Sequence, residues 1–309
     1  MINSKNKISR INRKFDKIKY KEETGKTDRY IKNRALRKML SNKLAVLGLV
    51  FVLIVIISSI FAPFISRHDP QKVNLRKILK PPSTEHILGT DKVGRDVFSR
   101  IIYGGRISIL VGLGSAIGAA LIGVSIGAYT GYRGGFIDSL FLRISEIVMA
   151  FPQIILVLLL VAILGQSLMN LILIFTLTGW GGMYRMTRAQ FFSLREEEYV
   201  LALQAFGFSR FIISYKHILP NALGPIMVNI TLSTAMFILQ EAGLSFLGLG
   251  VPLNIPTWGN ILNVAIDLRI LEHFWWVWLP VAIMISLFVL GINFIGDGLR
   301  DSTDTSLQG

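Results

Sequence analysis

The sequence LAVLGLVFVLIVIISSIFAPF, residues 44–64, contains no charged side chain. A helix that crosses the hydrocarbon core of a bilayer needs about 20 mostly apolar residues. The stretch begins only after 43 residues of polar and basic sequence, whereas a signal peptide has a short basic segment before a core of about 7–15 apolar residues. We therefore predict a retained membrane-spanning helix at this position.

Five further stretches of the 309-residue chain have the same apolar character. Apolar residues make up 52% of the sequence and charged residues 17%, whereas soluble domains carry about 25% charged residues. A soluble globule of this length cannot bury so many apolar side chains, so lipid is the expected solvent. We predict an all-α, polytopic membrane protein with six transmembrane helices. The five further spans are Ile107–Thr130, Phe136–Leu164, Leu168–Tyr184, Leu223–Leu247 and Phe274–Ile295.

The second predicted span is rich in glycine at a spacing of four residues. Such spacing lets two helix backbones approach closely in lipid, and we favour ordinary helix packing over a role in gating. The glycines are Gly114 and Gly118, and then Gly123, Gly127 and Gly131.

The net charge of +14 is unevenly distributed. Residues 1–43 hold fifteen Lys and Arg against four Asp and Glu, which excludes a uniformly basic nucleic-acid binder. By the positive-inside rule, this tail lies in the cytoplasm. Because six is an even number of spans, both termini are then cytoplasmic. The membrane is expected to be the plasma or inner membrane of the cell. Nine basic residues between the first two spans run against the rule locally. The predicted parts are a basic tail that attracts anionic lipid (1–43), the membrane domain (44–298) and a second cytoplasmic tail (299–309).

The chain offers few groups for catalysis or ion coupling. It has no cysteine, and no G-x-x-x-x-G-K-[ST] sequence that would bind ATP. The charges within predicted spans are Arg143 and Glu146, which are spaced to pair, and Glu241, and all lie near span ends. The histidines at 68, 86, 217 and 273 are expected to form no ligand cluster, so we predict no metal, no cofactor and no catalytic residue.

The segment between the fourth and fifth predicted spans, residues 190–221, is predicted to be a helical hairpin on the cytoplasmic face. Ser193 and Glu196 have the spacing of a capping box, which predicts a helix start there. Gly207 is placed to end that helix, and Ser209 to cap a second helix that must stop before Pro220. Two interpretations remain open at this point: the hairpin lies on the lipid interface, or its first helix fills a groove on a cytosolic partner.

This hairpin resembles the EAA loop of binding-protein-dependent ABC importer permeases. In that loop Glu-Ala-Ala precedes three residues, a Gly, nine residues and Ile-x-Leu-Pro. The sequence YVLALQAFG at 199–207, followed by HILPN at 217–221, matches at Ala202, Gly207 and Leu219-Pro220. It departs from the pattern in three places: Leu201 replaces the Glu, Leu203 the second Ala, and His217 the Ile.

Two other segments look like signatures of the dipeptide, oligopeptide and nickel permeases, specifically the C-type member with a longer N-terminal tail. They are LGTDKVGRDVFSR at 88–100, and GLSFLGLGVP at 243–252 with PTWGN at 256–260. The first is either a contact for a binding protein, or a gate, or an ion-paired helix cap, and we favour the cap. The tryptophan of the second is predicted to be an interfacial anchor. The signature residues are Gly89, Thr90, Asp91, Gly94, Arg95, Asp96, Gly248, Gly250, Pro252, Trp258 and Gly259.

The resemblance implies a type I ABC importer permease fold and a set of partners. These are a second permease of the same family, two ATPase subunits that bind ATP and Mg, an extracytoplasmic solute-binding protein, the lipid bilayer and a peptide substrate, with no nucleic acid. It implies that the first hairpin helix couples to an ATPase. The predicted coupling positions are Ala202, Gln204, Ala205, Phe206, Gly207 and Ser209.

Three other functions are alternatives to peptide import. The same family serves nickel or metallophore import. An ion-coupled secondary transporter would need relay carboxylates within the spans, and a membrane-embedded enzyme would need a reactive constellation; the sequence offers neither.

Overall fold

The computed structural model describes residues 38–303, which form helices and connecting loops with no β-strand among them. Residues 1–37, with most of the basic tail and its predicted lipid contact, and residues 304–309 lie outside the described part. Eight helices are labelled α1 (Lys43–Ile60), α2 (Val97–Arg133), α3 (Gly135–Ala150), α4 (Gln153–Leu164), α5 (Leu168–Leu194), α6 (Glu198–Ala205), α7 (Leu219–Phe246) and α8 (Trp275–Thr303). Shorter helical turns lie at Ala62–Ile65, Leu75–Lys77, Arg210–Ile212, Trp258–Leu262, Asn263–Ile266 and Leu268–His273.

Four helices of the described part are long and apolar enough to cross a membrane: α1, α2, α8 and the continuous helix Arg210–Phe246, which contains α7. The pair α3 and α4 adds a fifth crossing if it is one broken span. The fourth predicted span, Leu168–Tyr184, forms the apolar first part of the 27-residue α5. The all-α membrane fold is thus confirmed, and the count of six spans is compatible with it and stays a prediction.

The third predicted span, residues 136–164, is not one straight helix. It breaks between α3 and α4, whose axes meet at 86°. Phe151 adopts an extended conformation (φ −86°, ψ 138°) because the ring of the following Pro152 disfavours helical geometry at the preceding residue. Arg143 and Glu146, on α3, form the predicted ion pair at 3.0 Å.

The glycine spacing of α2 positions it against α5. A Cβ at Gly123 would lie 2.7 Å from the backbone nitrogen of Tyr184. A Cβ at Gly131 would lie 2.8 Å from the carbonyl oxygen of Arg188. Since such distances are shorter than any van der Waals contact, only glycine permits this approach of the two backbones. Gly123, Gly127 and Gly131 therefore serve helix packing, as predicted. A Cβ at Gly114, by contrast, would meet no atom closer than 3.8 Å.

The other long helices pack side by side in the order α1, α8, α7, α2, α5. Branched aliphatic residues fill the space between them, including Val55 of α1, Ile238 of α7 and Val281 of α8, each no more than 5% exposed. Helix α7 contacts α2, α8 and α5, so a displacement of α7 would change its packing against all three.

Candidate functional site

The hairpin that connects α5 to α7 begins later than its sequence indicates. Ser193 lies within α5, which ends at Leu194, and α6 starts at Glu198 with Glu197 as its N-cap residue. The predicted capping box at Ser193 and Glu196 is therefore wrong. The apolar periodicity of α5 carries that helix past the serine, so the serine cannot take the extended backbone of a cap. Glu198 alone remains in the first turn, where the helix dipole favours it.

Helix α6 has one buried and one exposed face. Val200 is fully buried and contacts a cluster that includes Phe191, Ile213 and Ile218; Leu203 packs against the same cluster. The predicted coupling positions all lie on the exposed side, and Phe206 at the end of the helix is 80% exposed. The three apolar residues that follow one another at intervals of three therefore have different environments. Val200 and Leu203 attach the helix to the bundle, while Phe206 is exposed. The exposed positions are Ala202, Gln204, Ala205, Phe206, Gly207 and Ser209.

Gly207 ends α6 in the left-handed conformation, as predicted, with φ at +77°. Its N–H bonds the carbonyl of Gln204 at 3.0 Å, and the N–H of Phe208 bonds the carbonyl of Leu203 at 3.2 Å. These bonds satisfy carbonyl groups that the end of a helix leaves without partners. No heavy atom lies within 4 Å of the position that a Cβ at Gly207 would take, so conformation alone restricts this site.

Ser209 caps the next helical segment, as predicted, because its Oγ accepts a hydrogen bond from the N–H of Ile212 at 3.3 Å. The prediction that this helix stops before Pro220 is wrong. The chain passes through a π-helical turn, Ile213–Ile218, and continues without interruption into α7. A proline clashes with the carbonyl four residues earlier in an α-helix, and the wider π turn removes that carbonyl from the clash. Helix α7 is thus rigidly continuous with the second arm of the hairpin.

A surface cavity of about 500 Å³ lies beside the exposed face of α6. Three arginines and one glutamate line it, so its charge is positive: Arg133, Arg195, Arg210 and Glu196. Gln204 reaches across from α6 and donates a hydrogen bond to the Tyr132 hydroxyl at 3.2 Å. The exposed face of α6 therefore borders a basic depression, which Phe208 also lines.

The first signature segment folds the loop between α1 and α2 onto the start of α2. Asp91 bonds Arg95 at 2.7 Å and lies 3.5 Å from Arg100, whose side chain is 2% exposed. Asp91 is therefore ion-paired, as the favoured interpretation of this segment predicts. Asp96 differs, because it is the N-cap residue of α2 and accepts from the backbone N–H of Ser99 at 2.8 Å.

The remaining signature residues of this segment support the same loop. Thr90 accepts a hydrogen bond from the N–H of Lys80 at 2.9 Å and donates to the carbonyl of Lys77. Gly89 and Gly94 have positive φ angles of 71° and 77°, which place turns on either side of Asp91. Among the described residues these groups therefore hold one another in place.

The second signature segment is attached to α2 and α7 by a buried polar network that the sequence did not predict. Glu241 is fully buried in the last two turns of α7 and accepts from the Ser108 hydroxyl at 3.0 Å and the Ser245 hydroxyl at 2.7 Å. Ser108 in turn accepts from the backbone N–H of Trp258 at 3.1 Å. A carboxylate within an apolar span was the one available signal, since such a residue requires partners.

Trp258 is a core residue, and the prediction that it anchors at the membrane interface is wrong. Its side chain is 1% exposed, packs edge-on against Phe288 with 5.1 Å between ring centroids, and donates to the carbonyl of Ile101 at 3.0 Å. The neighbouring Gly259 leaves no room for a Cβ, which would lie 2.7 Å from the Cα of Ala242. The turns at Gly248, Gly250 and Pro252 lead the chain into this packed position.

Two of the four histidines lie close together, contrary to the prediction that they form no ligand cluster. His68, His86 and Asp96 each offer one donor atom, and the three atoms lie within 4.8 Å of one another. The loop between α1 and α2 folds back on itself, so residues far apart in sequence meet there. Sequence spacing missed this because none of the short metal motifs is present.

Comparison with known proteins gives matches over most of the chain. Residues 123–308 match the family described as binding-protein-dependent transport system inner membrane component. Residues 33–82 match the N-terminal TM domain of oligopeptide transport permease C. The two matches together include the hairpin, α1 and most of the remaining helices.

Individual relatives agree with these matches. The chain is 41% identical to the oligopeptide transport system permease protein OppC of Bacillus subtilis (strain 168), over 89% of both chains. It is 40% identical to the dipeptide transport system permease protein DppC of the same organism, over 89% of this chain and 85% of the relative. The dipeptide transport system permease protein DppC of Alkalihalophilus pseudofirmus is 41% identical, over 89% of this chain and 90% of the relative.

Proposed function

Because the chain belongs to the family of binding-protein-dependent transport system inner membrane components, we propose that it forms half of the membrane pathway of an ATP-driven peptide importer. Relatives at about 40% identity over most of both chains are oligopeptide and dipeptide permeases. A second permease of the same family completes the pathway. An extracytoplasmic solute-binding protein delivers the peptide to the loops at 72–106 and 251–272.

The observation that carries the mechanism is the exposed face of α6. Phe206 is 80% exposed although it lies in the hairpin rather than in a span, and Leu201 and Gln204 of the same helix line a basic cavity. An exposed aromatic ring on a surface that also presents arginines is typical of a docking surface, where such a ring fills a pocket on the partner. The partner is an ATPase subunit that binds ATP and Mg, since this chain has no phosphate-binding loop of its own.

Movement passes from the ATPase to the pathway through covalently continuous helix. The second arm of the hairpin runs through the π turn into α7, and α7 contacts α2 and α8. Closure of two ATPase subunits pulls α6, and a rigid hairpin turns that pull into a tilt of α7. Gly207 fixes the angle between the two arms.

The proposal is tested by uptake of labelled di- and oligopeptides in cells that lack the importer. The chain is expressed together with the permease, ATPase and binding-protein genes that neighbour it. Peptide uptake that requires the ATPases supports the proposal. Uptake of nickel without peptide uptake would reassign the substrate, and transport by the purified chain on a proton or sodium gradient alone would overturn the coupling to ATP.

Phe206→Ala tests the docking surface directly. Loss of a central aromatic contact typically costs about 2 kcal/mol, which is about a thirty-fold weaker association. When purified, the variant should retain a much smaller amount of the ATPase subunit than the parent chain does. The abundance of the variant in the membrane should be unchanged. Phe64→Ala is the matched control, because Phe64 is 84% exposed but lies in the helical turn Ala62–Ile65 that follows α1, outside the hairpin. Equal retention of ATPase by both variants would contradict the assignment.

A further inference from the structure

We propose that His68, His86 and Asp96 bind a divalent transition-metal ion in the loop between α1 and α2. One donor atom from each side chain lies within 4.8 Å of the other two. Two imidazole nitrogens and one carboxylate oxygen form a donor set that suits zinc, nickel or copper rather than calcium, which takes six to eight oxygens. The site is independent of the coupling surface on α6.

Burial and hydrogen bonding prepare His86 as a ligand. Its side chain is 10% exposed, and its Nδ1 lies 2.9 Å from Oδ1 of Asp96. Its other ring nitrogen, Nε2, is buried and has no hydrogen-bond partner among the described residues. Nδ1 of His86 and Oδ1 of Asp96 are therefore close enough to bind one ion, which would take the place of the proton between them.

His68 faces this pair from the other side of the loop. Its ring packs edge-on against the His86 ring, with 4.6 Å between centroids, and forms no hydrogen bond within residues 38–303. Zinc bonds nitrogen or oxygen at about 2.0–2.2 Å, so two donors of one ion lie at most about 4.4 Å apart. The three donors lie within 4.8 Å of one another, so a closure of at most about 0.4 Å brings them into that range.

The surroundings leave room for an ion and for water ligands. A cavity of about 340 Å³ is lined by all three side chains. Its charges balance, because the cations Arg67, Lys72 and Lys77 are matched by Asp69, Glu85 and Asp96, and Lys77 is ion-paired with Glu85. An ion bound there would connect the segment after α1 to the N-cap of α2.

The test is zinc binding to the full-length chain, purified in detergent with a histidine-free affinity tag and stripped by a chelator. Titration calorimetry with Zn²⁺ alone is expected to give one saturable site per chain. His68→Gln is expected to weaken binding at least tenfold with an unchanged thermal unfolding temperature in the absence of metal, because the His68 ring supports no hydrogen bond of the fold.

His273→Gln is the matched control, since His273 is exposed and distant in sequence from the cluster, and this variant should bind zinc like the parent chain. Cobalt gives a second readout, because its visible absorption reports nitrogen and oxygen ligation and should disappear in His68→Gln. The proposal is overturned if the parent chain shows no saturable zinc binding, if His68→Gln binds as tightly as the parent, or if Ca²⁺ competes equally with Zn²⁺.

Discussion

Gly207 joins the two arms of the hairpin at a φ of +77°, with open space where a side chain would lie. Gly207→Ala should therefore destabilise the turn by about 1–2 kcal/mol through backbone strain alone. Gly243→Ala is the matched control: a Cβ there also meets no atom within 4 Å, but Gly243 lies in helical α7, where alanine is favoured by up to about 1 kcal/mol. The two variants are distinguished by their thermal unfolding in detergent and by their peptide uptake.

The two alanine variants are expected to move in opposite directions. Gly207→Ala lowers the unfolding temperature of the hairpin and reduces uptake, while Gly243→Ala keeps or raises stability. If both variants transport at the parent rate, the angle set by Gly207 has no part in coupling.

Single residues were predictable from sequence where the signal is local. Gly207 and Ser209 act on backbone groups within three residues, and both take their predicted conformations. Trp258 and Glu241 were not predictable, because their partners Ser108 and Ile101 lie more than 130 residues away in the chain. A tryptophan near a span end has the same local sequence whether it faces headgroups or a helix core.

At the scale of elements, the π turn Ile213–Ile218 determines how the hairpin is oriented on α7. The N–H of Leu219 bonds the carbonyl of Ser214, five residues earlier, which places one extra residue in the turn. Pro220→Ala removes the clash that favours this turn, so the segment should relax to an α-helix. One residue fewer per turn rotates the hairpin by about 100° relative to α7.

This rotation is measurable because the chain contains no cysteine. Spin labels on cysteines introduced at Phe206 and Met236, both exposed, report the distance between the hairpin and α7. Pro220→Ala should change that distance and lower uptake without loss of thermal stability. Pro225→Ala, which lies inside α7 beyond the π turn, should leave the distance unchanged. A common result for both prolines would show that the turn does not depend on Pro220.

The sequence predicted which helices exist better than it predicted the residues at which they begin and end. Hydrophobicity located every long helix, because a span of about 20 apolar residues is a strong signal. It did not indicate the break at Phe151, since the residues on both sides are apolar and only Pro152 marks the bend. The capping box at Ser193 failed for a related reason, as the apolar pattern of α5 continues past it.

At the scale of the whole molecule, six spans with both termini inside predict which loops face out. Cysteines introduced at Lys72 and Leu253 should react with an impermeant maleimide in intact cells. Cysteines at Phe206 and Arg300 should react only after permeabilisation. All four side chains are exposed, so burial does not hide them. Protection of Leu253 in intact cells would mean a different number of crossings and would place the second signature inside.

The Glu241 network has a mechanical consequence. Helix α7 cannot slip along α2 without exposing a carboxylate and two hydroxyls to hydrocarbon, where unpaired polar groups cost several kcal/mol. The glycine contacts prevent α2 from shearing against α5 in the same way, because their backbones interlock. These three helices therefore behave as one solid block. The break at Phe151, where α3 meets α4 at 86°, lies outside that block.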